Sequence, residues 1–354
     1  MQVDDERDGS RPGAGDYHSL RIMLEEAGLF KKQPWYYFQK TSVTLSLLVM
    51  AMLLVVALKN TGLHLLGAAL MAFAFMQVGL LAHDAGHHAI FARKTSNRML
   101  GLLLGNLCLG ISNSWWIYEH NRHHRYANRI GLDPDLTNPV VVFVEEQALS
   151  RRGLLRFIAR FQAVLFLPLL MLESVSLRVK SIGFLIDRRP ASAPIEGVLI
   201  AGHFIVYLGF VLSVLDRWDA GWFVMTHQAL FGVYAGSVFA LNHMGRPVLS
   251  ADRATDFLRH QVVASRNLRS HPVTDFIYGG ANYQIEHHLF PSMARNKLKA
   301  AKKFVRAFCQ EKRIEYRETS VSEGYREVFA YLHTIGATLS GKQPGGALWR
   351  RMNR

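Results

Sequence analysis

Four long apolar blocks constrain this chain more than any other feature. They run from about Thr41 to Leu58, Leu63 to Ala82, Gly197 to Leu215 and Trp222 to Leu241. A bilayer core is crossed by about 20 helical residues. Within it, only a helix or a closed barrel satisfies its own backbone hydrogen bonds. The blocks therefore predict an all-α integral membrane protein. The first block starts well after Met1 and lacks a small-residue cleavage site behind it, so it reads as a span rather than a signal peptide.

Charges gather between the blocks. The net charge of +14 could suggest a nucleic-acid partner, but no recognised nucleic-acid module is present and the Lys and Arg residues flank the apolar spans. The loops inside the two pairs of blocks hold only Lys59 and Arg217 as cations. The positive-inside rule then places the N-terminal flank, the middle segment and the C-terminal region in the cytoplasm. The expected layout is four transmembrane helices in two hairpins with a cytosolic helical cap. Two widely spaced cysteines, Cys108 and Cys309, argue against a disulfide framework.

Three histidine clusters stand at the edges of these spans. The first is His83-Asp84-Ala85-Gly86-His87-His88, where a helix puts His83 and His87 on one face. In that geometry His88 needs a bend or a second metal. The second is His120-Asn121-Arg122-His123-His124, and the third is Gln284-Ile285-Glu286-His287-His288-Leu289-Phe290-Pro291. Imidazole suits iron, copper, zinc and nickel alike. The histidines of three clusters exceed the needs of one four-coordinate zinc, so two metals are expected. His243 ends the fourth block on the same side and is a further candidate ligand. Asp84 and Glu286 either orient imidazoles or are ordinary helix-surface carboxylates. His203, His227, His260 and His271 read as structural.

A fifth block, Phe157 to Leu172, is bordered by Arg151, Arg152, Arg156 and Arg160 before it and Arg178 and Lys180 after it. If it crossed, the third cluster would face the opposite side from the second. One metal site requires both on one side, so this block is expected to lie in the interface. The resulting division is a cytosolic tail over 1–35, a membrane domain over 36–296, and C-terminal cytosolic helices and tail over 297–354. Residues 1–16 and 340–354 read as disordered. A basic amphipathic helix is expected from Arg295 to Arg313, with Leu298, Ala301, Val305 and Phe308 near one face. It either packs on the cap or meets anionic lipid or an acidic electron carrier.

The runs HDAGHH, HNRHH and QIEHHLFP resemble the three histidine boxes of the membrane fatty acid desaturases, in the same order around two hydrophobic hairpins, over about residues 36–296. The leading Gln284 is similar to that of front-end and related acyl-lipid desaturases. The resemblance implies a di-iron centre in the cap, with dioxygen as co-substrate, that removes two hydrogens from adjacent acyl carbons. It implies iron ligands at His83, His88, His120, His123, His124, His243, His287 and His288. His87 belongs to the box, and Gln284 stands where many acyl-CoA desaturases have histidine. The implied substrate is a fatty acyl lipid or acyl-CoA, with membrane lipid around the protein and no nucleic acid. The His-Pro-Gly-Gly haem motif of a fused cytochrome b5 domain is not found. Electrons are therefore expected from a separate ferredoxin, flavin-iron-sulfur reductase or cytochrome b5.

An unactivated methylene has no acidic proton for a side-chain base to remove, so a metal-oxygen oxidant is required. Trp115, Trp116 and Tyr118 either line the acyl tunnel or anchor the interface. The rival on the same scaffold is a fatty acyl hydroxylase. A metal transporter would place ionisable residues along the spans rather than at their ends, and a noncatalytic scaffold leaves the clusters unexplained.

Overall fold

The computed structural model describes residues 14–57, 59–252 and 255–340. Nearly all regular structure is helical. In chain order the first elements are α1 (Ala14–Glu26), α2 (Pro34–Ala57), α3 (Thr61–Gly86) and α4 (Lys94–Gly101). A π-helical stretch, Leu102–Cys108, leads to α5 (Asn113–Tyr126), α6 (Glu145–Ser150), α7 (Gly153–Leu170) and α8 (Glu173–Arg188). Then come α9 (Ala193–Val214), α10 (Arg217–His243), α11 (Phe257–Ala264), α12 (Pro272–Tyr278) and α13 (Gln284–Leu289). The last helices are α14 (Arg295–Glu311) and α15 (Val321–Thr338). Two short parallel strands, β1 (Asn267–Leu268) and β2 (Glu318–Thr319), pair Asn267 with Glu318 and Leu268 with Thr319.

Among the described residues, five helices are long and apolar enough to cross a membrane: α2, α3, α7, α9 and α10. Four of them cover the four expected blocks. The fifth, α7, meets the same criterion of length and composition. On α2 and α9 large apolar side chains point outward, among them Leu53, Val56, Val198, Ile205 and Leu212. Water does not tolerate such continuous apolar faces, whereas lipid does. The chain is a membrane protein.

The chain divides into two compact units. One comprises residues 32–120 and 166–239 and holds α2, α3, α4, α8, α9 and most of α5 and α10. Here α2 packs along α3, and the turn between them is set by Asn60, whose side chain accepts from Gly62 N at 2.9 Å. Gly67 lets α3 approach closely, since a Cβ there would stand 2.6 Å from Val55 Cγ2. The π-helical stretch packs on α3 and α9. Its Asn106 donates to the buried carboxylate of Glu196 at 3.0 Å, and Ser112 donates to the same oxygen at 2.7 Å.

The other unit comprises 14–31, 121–165 and 240–340 of the described residues. Its main core joins Leu20 and Leu24 of α1, Leu258 and Val262 of α11, Ile285 and Leu289 of α13, and Leu298, Val305 and Phe308 of α14. The face expected on α14 is therefore the buried one, at helical spacing. Residues 14–26, within the segment read as a tail, form α1, and its Tyr17 hydroxyl donates to Leu289 O at 3.1 Å. Residues 14–16 are thus helical, whereas 1–13 and 341–354 lie outside the described residues. Ser320 caps α15 by accepting from Glu323 N at 3.1 Å.

Candidate metal centre

The two units each gather imidazoles. In the unit holding α3, His83 and His87 lie one turn apart near the helix end, with ring centroids separated by 4.8 Å. The ring of His120 on α5 lies 5.0 Å from that of His83 and 4.9 Å from that of His87. The Trp116 ring stacks on His120 at 4.3 Å. Gly86 leaves room for that indole, because a Cβ at this position would stand 2.2 Å from it. Asp84 accepts from the Tyr37 hydroxyl at 2.7 Å and faces His83 Nδ1 at 3.2 Å.

His88 follows the end of α3 with a left-handed backbone, φ 55°. Its carbonyl accepts from Lys32 Nζ at 2.6 Å, and its ring is not part of the group formed by His83, His87 and His120. Burial, and then the ammonium groups of Lys94 and Lys32, hold it below the ordinary imidazole range.

In the other unit His123, His243 and His288 are all buried, and their candidate ligand atoms lie within 4.8 Å of one another. The Nε2 atoms of His123 and His243 are 3.3 Å apart. Each of the three rings has its Nδ1 committed elsewhere. His243 Nδ1 donates to Ala264 O at 3.0 Å, His123 Nδ1 meets Asp133 Oδ1 at 3.0 Å, and His288 Nδ1 meets Gln261 Oε1 at 2.8 Å. Such bonds fix the tautomer and leave Nε2 as the donor atom, which is how metal-binding imidazoles are held. Two nitrogens 3.3 Å apart also fit one ion standing about 2 Å from each. The residues present therefore suit a divalent transition metal.

His124 lies 4.8 Å from His287 by ring centroid and stacks on His288 at 4.2 Å. Gln284 occupies the same buried space. Its Nε2 faces His243 Nε2 at 3.0 Å, and its Oε1 accepts from Asn242 at 3.1 Å. Glu286 turns away from the imidazoles; it accepts from Asn267 Nδ2 and from the Tyr316 hydroxyl, each at 2.7 Å. Burial pushes its carboxyl up to about 7 against the lowering effect of those two bonds.

Trp115 is buried, Trp116 lies against His83, His87 and His120, and Tyr118 packs on Phe184 at 5.4 Å. The histidines read as structural have structural partners. His203 Nδ1 donates to Leu107 O, Tyr207 bonds His227, His260 Nε2 donates to Ala127 O, and His271 caps α12.

Several supporting residues escape a sequence reading. Asp133, in the loop after the second cluster, accepts from Asn128 N at 2.7 Å as well as facing His123. Burial opposes charge on the His123 ring, but Asp133 and Asp135 outweigh it and hold the imidazole above its usual range. Gln261 donates to His124 O at 2.8 Å while its oxygen takes His288. Only the Leu132-Asp133-Pro134-Asp135 turn offered a signal, as carboxylates close behind a histidine cluster.

Comparison with known proteins agrees with this arrangement. The sequence pattern of the family described as "Fatty acid desaturase" matches residues 60–320. A Delta(8)-fatty-acid desaturase of Euglena gracilis is 31% identical across 94% of this chain and 81% of its own length. A Delta(6)-fatty-acid desaturase of Caenorhabditis elegans is 28% identical across 92% and 76%. An acyl-lipid (9-3)-desaturase of Physcomitrium patens is 27% identical across 90% of this chain, which spans 62% of that relative's length. With the histidine-bearing helices inside the matched region, the chain belongs to the fatty acid desaturase family of oxidoreductases.

Proposed function

We propose that the chain is a dioxygen-dependent desaturase that introduces a double bond into a fatty acyl chain carried on a lipid or on coenzyme A. The observation that carries this reading is the 3.3 Å approach of His123 Nε2 to His243 Nε2, with each Nδ1 tied by a separate partner. Two iron ions are the proposed cofactor. His83, His87 and His120 supply one set of donors. His123, His243 and His288 supply the other, and His124 and His287 are further proposed donors. His88 stands beside the first set and Gln284 beside the second.

Bound iron with dioxygen supplies the oxidising power that a C–H bond of an unactivated methylene requires. The acyl –CH2–CH2– segment gives up two hydrogens. Two electrons and two protons from outside complete the reduction of dioxygen to two waters. The chain's own residues orient the donor imidazoles: Asp133 holds His123, Gln261 holds His288, and Asp84 faces His83. Holding the acyl chain with two adjacent carbons toward the site is the remaining task, and small misplacement lowers rate sharply.

In this reading four helices, α2, α3, α9 and α10, span the bilayer, and the termini and histidine clusters face the cytoplasm. Helix α7 lies in the interface. Its support is an outward stripe of Leu154, Phe157, Phe161, Val164 and Leu167, with Gln162 bonded to Val142 N at 3.0 Å on the covered side. Residues 36–296 form the catalytic membrane domain, flanked by cytosolic segments. A separate ferredoxin, flavin-iron-sulfur reductase or cytochrome b5 delivers the electrons.

The test is expression in a host of defined lipid composition with a compatible donor, followed by mass spectrometric location of any new double bond. The His123→Ala variant is expected to give none. A hydroxylated product, or equal product from the variant, defeats the proposal.

A further inference from the structure

A pocket of about 490 Å³ opens beside the paired strands β1 and β2. Arg269 and Arg317, next to the strands, and Lys302 and Arg306 of α14 line it, together with Tyr316 and Glu318. Four cations and one carboxylate thus line the pocket, and Glu323 and Glu327 pair with two of the cations. Lys302 bonds Glu318, and Arg306 lies 3.6 Å from the same side chain. Arg317 bonds Glu327 and sits 3.1 Å from Glu323, while Arg269 reaches Glu323 only at 3.8 Å. The inner cations are neutralised within the protein. The outer two, Arg269 and Arg306, have side chains 68% and 54% exposed.

The lining contains no aliphatic side chain. An acyl chain has nothing to bury there, and no apolar side chain of the lining is available to insert into a bilayer. An acidic water-soluble protein needs neither, since exposed cations steer such partners and set their docking rate.

The wall of the pocket also leads inward. The Tyr316 hydroxyl donates to Glu286 Oε1 at 2.7 Å and accepts from Asn267 Nδ2 at 2.6 Å. Glu286 is the residue before His287 on α13. From the pocket to the third histidine cluster there is one hydrogen bond and one peptide link.

We infer that this pocket is the docking and electron-entry surface for an acidic one-electron carrier protein, with Arg269 and Arg306 as its steering charges and Tyr316–Glu286 as the connection to His287. The inference rests on the desaturase reading above. Each double bond formed takes up two electrons, so two reduced carriers are oxidised in succession. Their electrons end, with two protons, in the water formed from dioxygen.

The test uses the full chain in detergent with two acidic carriers as probes, an oxidised plant-type [2Fe–2S] ferredoxin and the soluble haem domain of cytochrome b5. At least one is expected to bind, more weakly as salt rises. The double variant R269E/R306E is expected to lower its affinity about tenfold at low ionic strength and to flatten the salt dependence. Its neutral counterpart R269Q/R306Q is expected to fall between. Arg156→Glu, on α7 outside the pocket, is expected to bind as the parent does. In stopped flow, Tyr316→Leu is expected to reoxidise the reduced carrier several-fold more slowly.

Binding of neither carrier, or equal binding by R269E/R306E and the parent, overturns the docking site. Phosphatidylglycerol vesicle binding that depends on these arginines while carrier binding does not assigns the face to lipid and also overturns it. An unchanged reoxidation rate removes Tyr316 and Glu286 from the route. Carrier binding is read without turnover, so salt-dependent binding without a new double bond sinks the desaturase reading alone. A new double bond with carrier binding unaffected by the charge reversals sinks the docking site alone.

Discussion

His123 Nε2 stands 3.3 Å from His243 Nε2, while Asp133 holds the far nitrogen of one ring and the Ala264 carbonyl holds that of the other. With both outer nitrogens acting as donors, one inner proton can be shared between the rings, and a second would repel the first. Asp133 and Asp135 favour placing that proton on His123. A metal ion entering the site must displace it.

Metal affinity should therefore rise with pH. The raised His123 pKa means the proton competes through the neutral range, so low pH favours the metal-free protein and higher pH favours the metal. Calorimetric titration with a divalent metal at pH 6.5 and pH 8 should show affinity increasing by up to about tenfold per pH unit. Asp133→Asn should weaken the pH dependence. Affinity that is flat over this range contradicts a protonated His123.

Gln261 joins the second and third clusters by one amide, bonding His124 O at 2.8 Å and His288 Nδ1 at 2.8 Å. Gln261→Leu should lower metal affinity by about 10- to 100-fold, the usual loss when an imidazole's outer partner is removed. Iron content per chain after purification is the readout. Full occupancy in the variant would show that the ring is held by packing alone.

Gly86 has an indole where any side chain would begin, since a Cβ would approach Trp116 to 2.2 Å. Gly86→Ala should push Trp116 off His120 and destabilise the protein by about 1–3 kcal/mol through overpacking. Thermal melting in detergent and the iron content should fall together. A variant that melts with the parent and keeps its iron contradicts this packing.

Arg266 is wholly buried and closes the end of α10, donating to Leu241 O at 2.8 Å and Met244 O at 3.0 Å and bonding Glu327. Arg266→Met should cost about 3 kcal/mol, because helix-end carbonyls lose their donors inside the protein. The melting temperature should drop by roughly 5 °C or more. Arg266→Lys should recover only part, since an ammonium cannot span both carbonyls and Glu327 as the planar fork does.

Continuous apolar blocks and α14's helical spacing were legible in the sequence because both follow from local composition. Four of the five apolar helices, α2, α3, α9 and α10, cover the expected blocks within a few residues. The status of α7 was not legible in composition, since its length and hydropathy suit a span while its exposed stripe suits an interface. The clusters were legible as imidazoles that gather. What the sequence withheld was backbone direction: helical spacing left His88 a bend or a second metal, and His88 leaves the end of α3 in a left-handed turn. It also withheld partners far along the chain. Asn267 meets Glu286 across 19 positions and Gln261 meets His288 across 27, and nothing local marks either as a support.

Helix α5 carries His120 at one place and His123 and His124 about a turn later; His120 meets His83 and His87, whereas His123 and His124 both meet His288. The interval between them is thus an angular phase as much as a length. Inserting one residue there turns everything beyond it by about 100°. Either His120 keeps its companions and His123 faces elsewhere, or the reverse. A substitution at Asn121 or Arg122 is a local change, whereas an insertion or deletion at the same place is a rotation of His123 and His124 relative to His120.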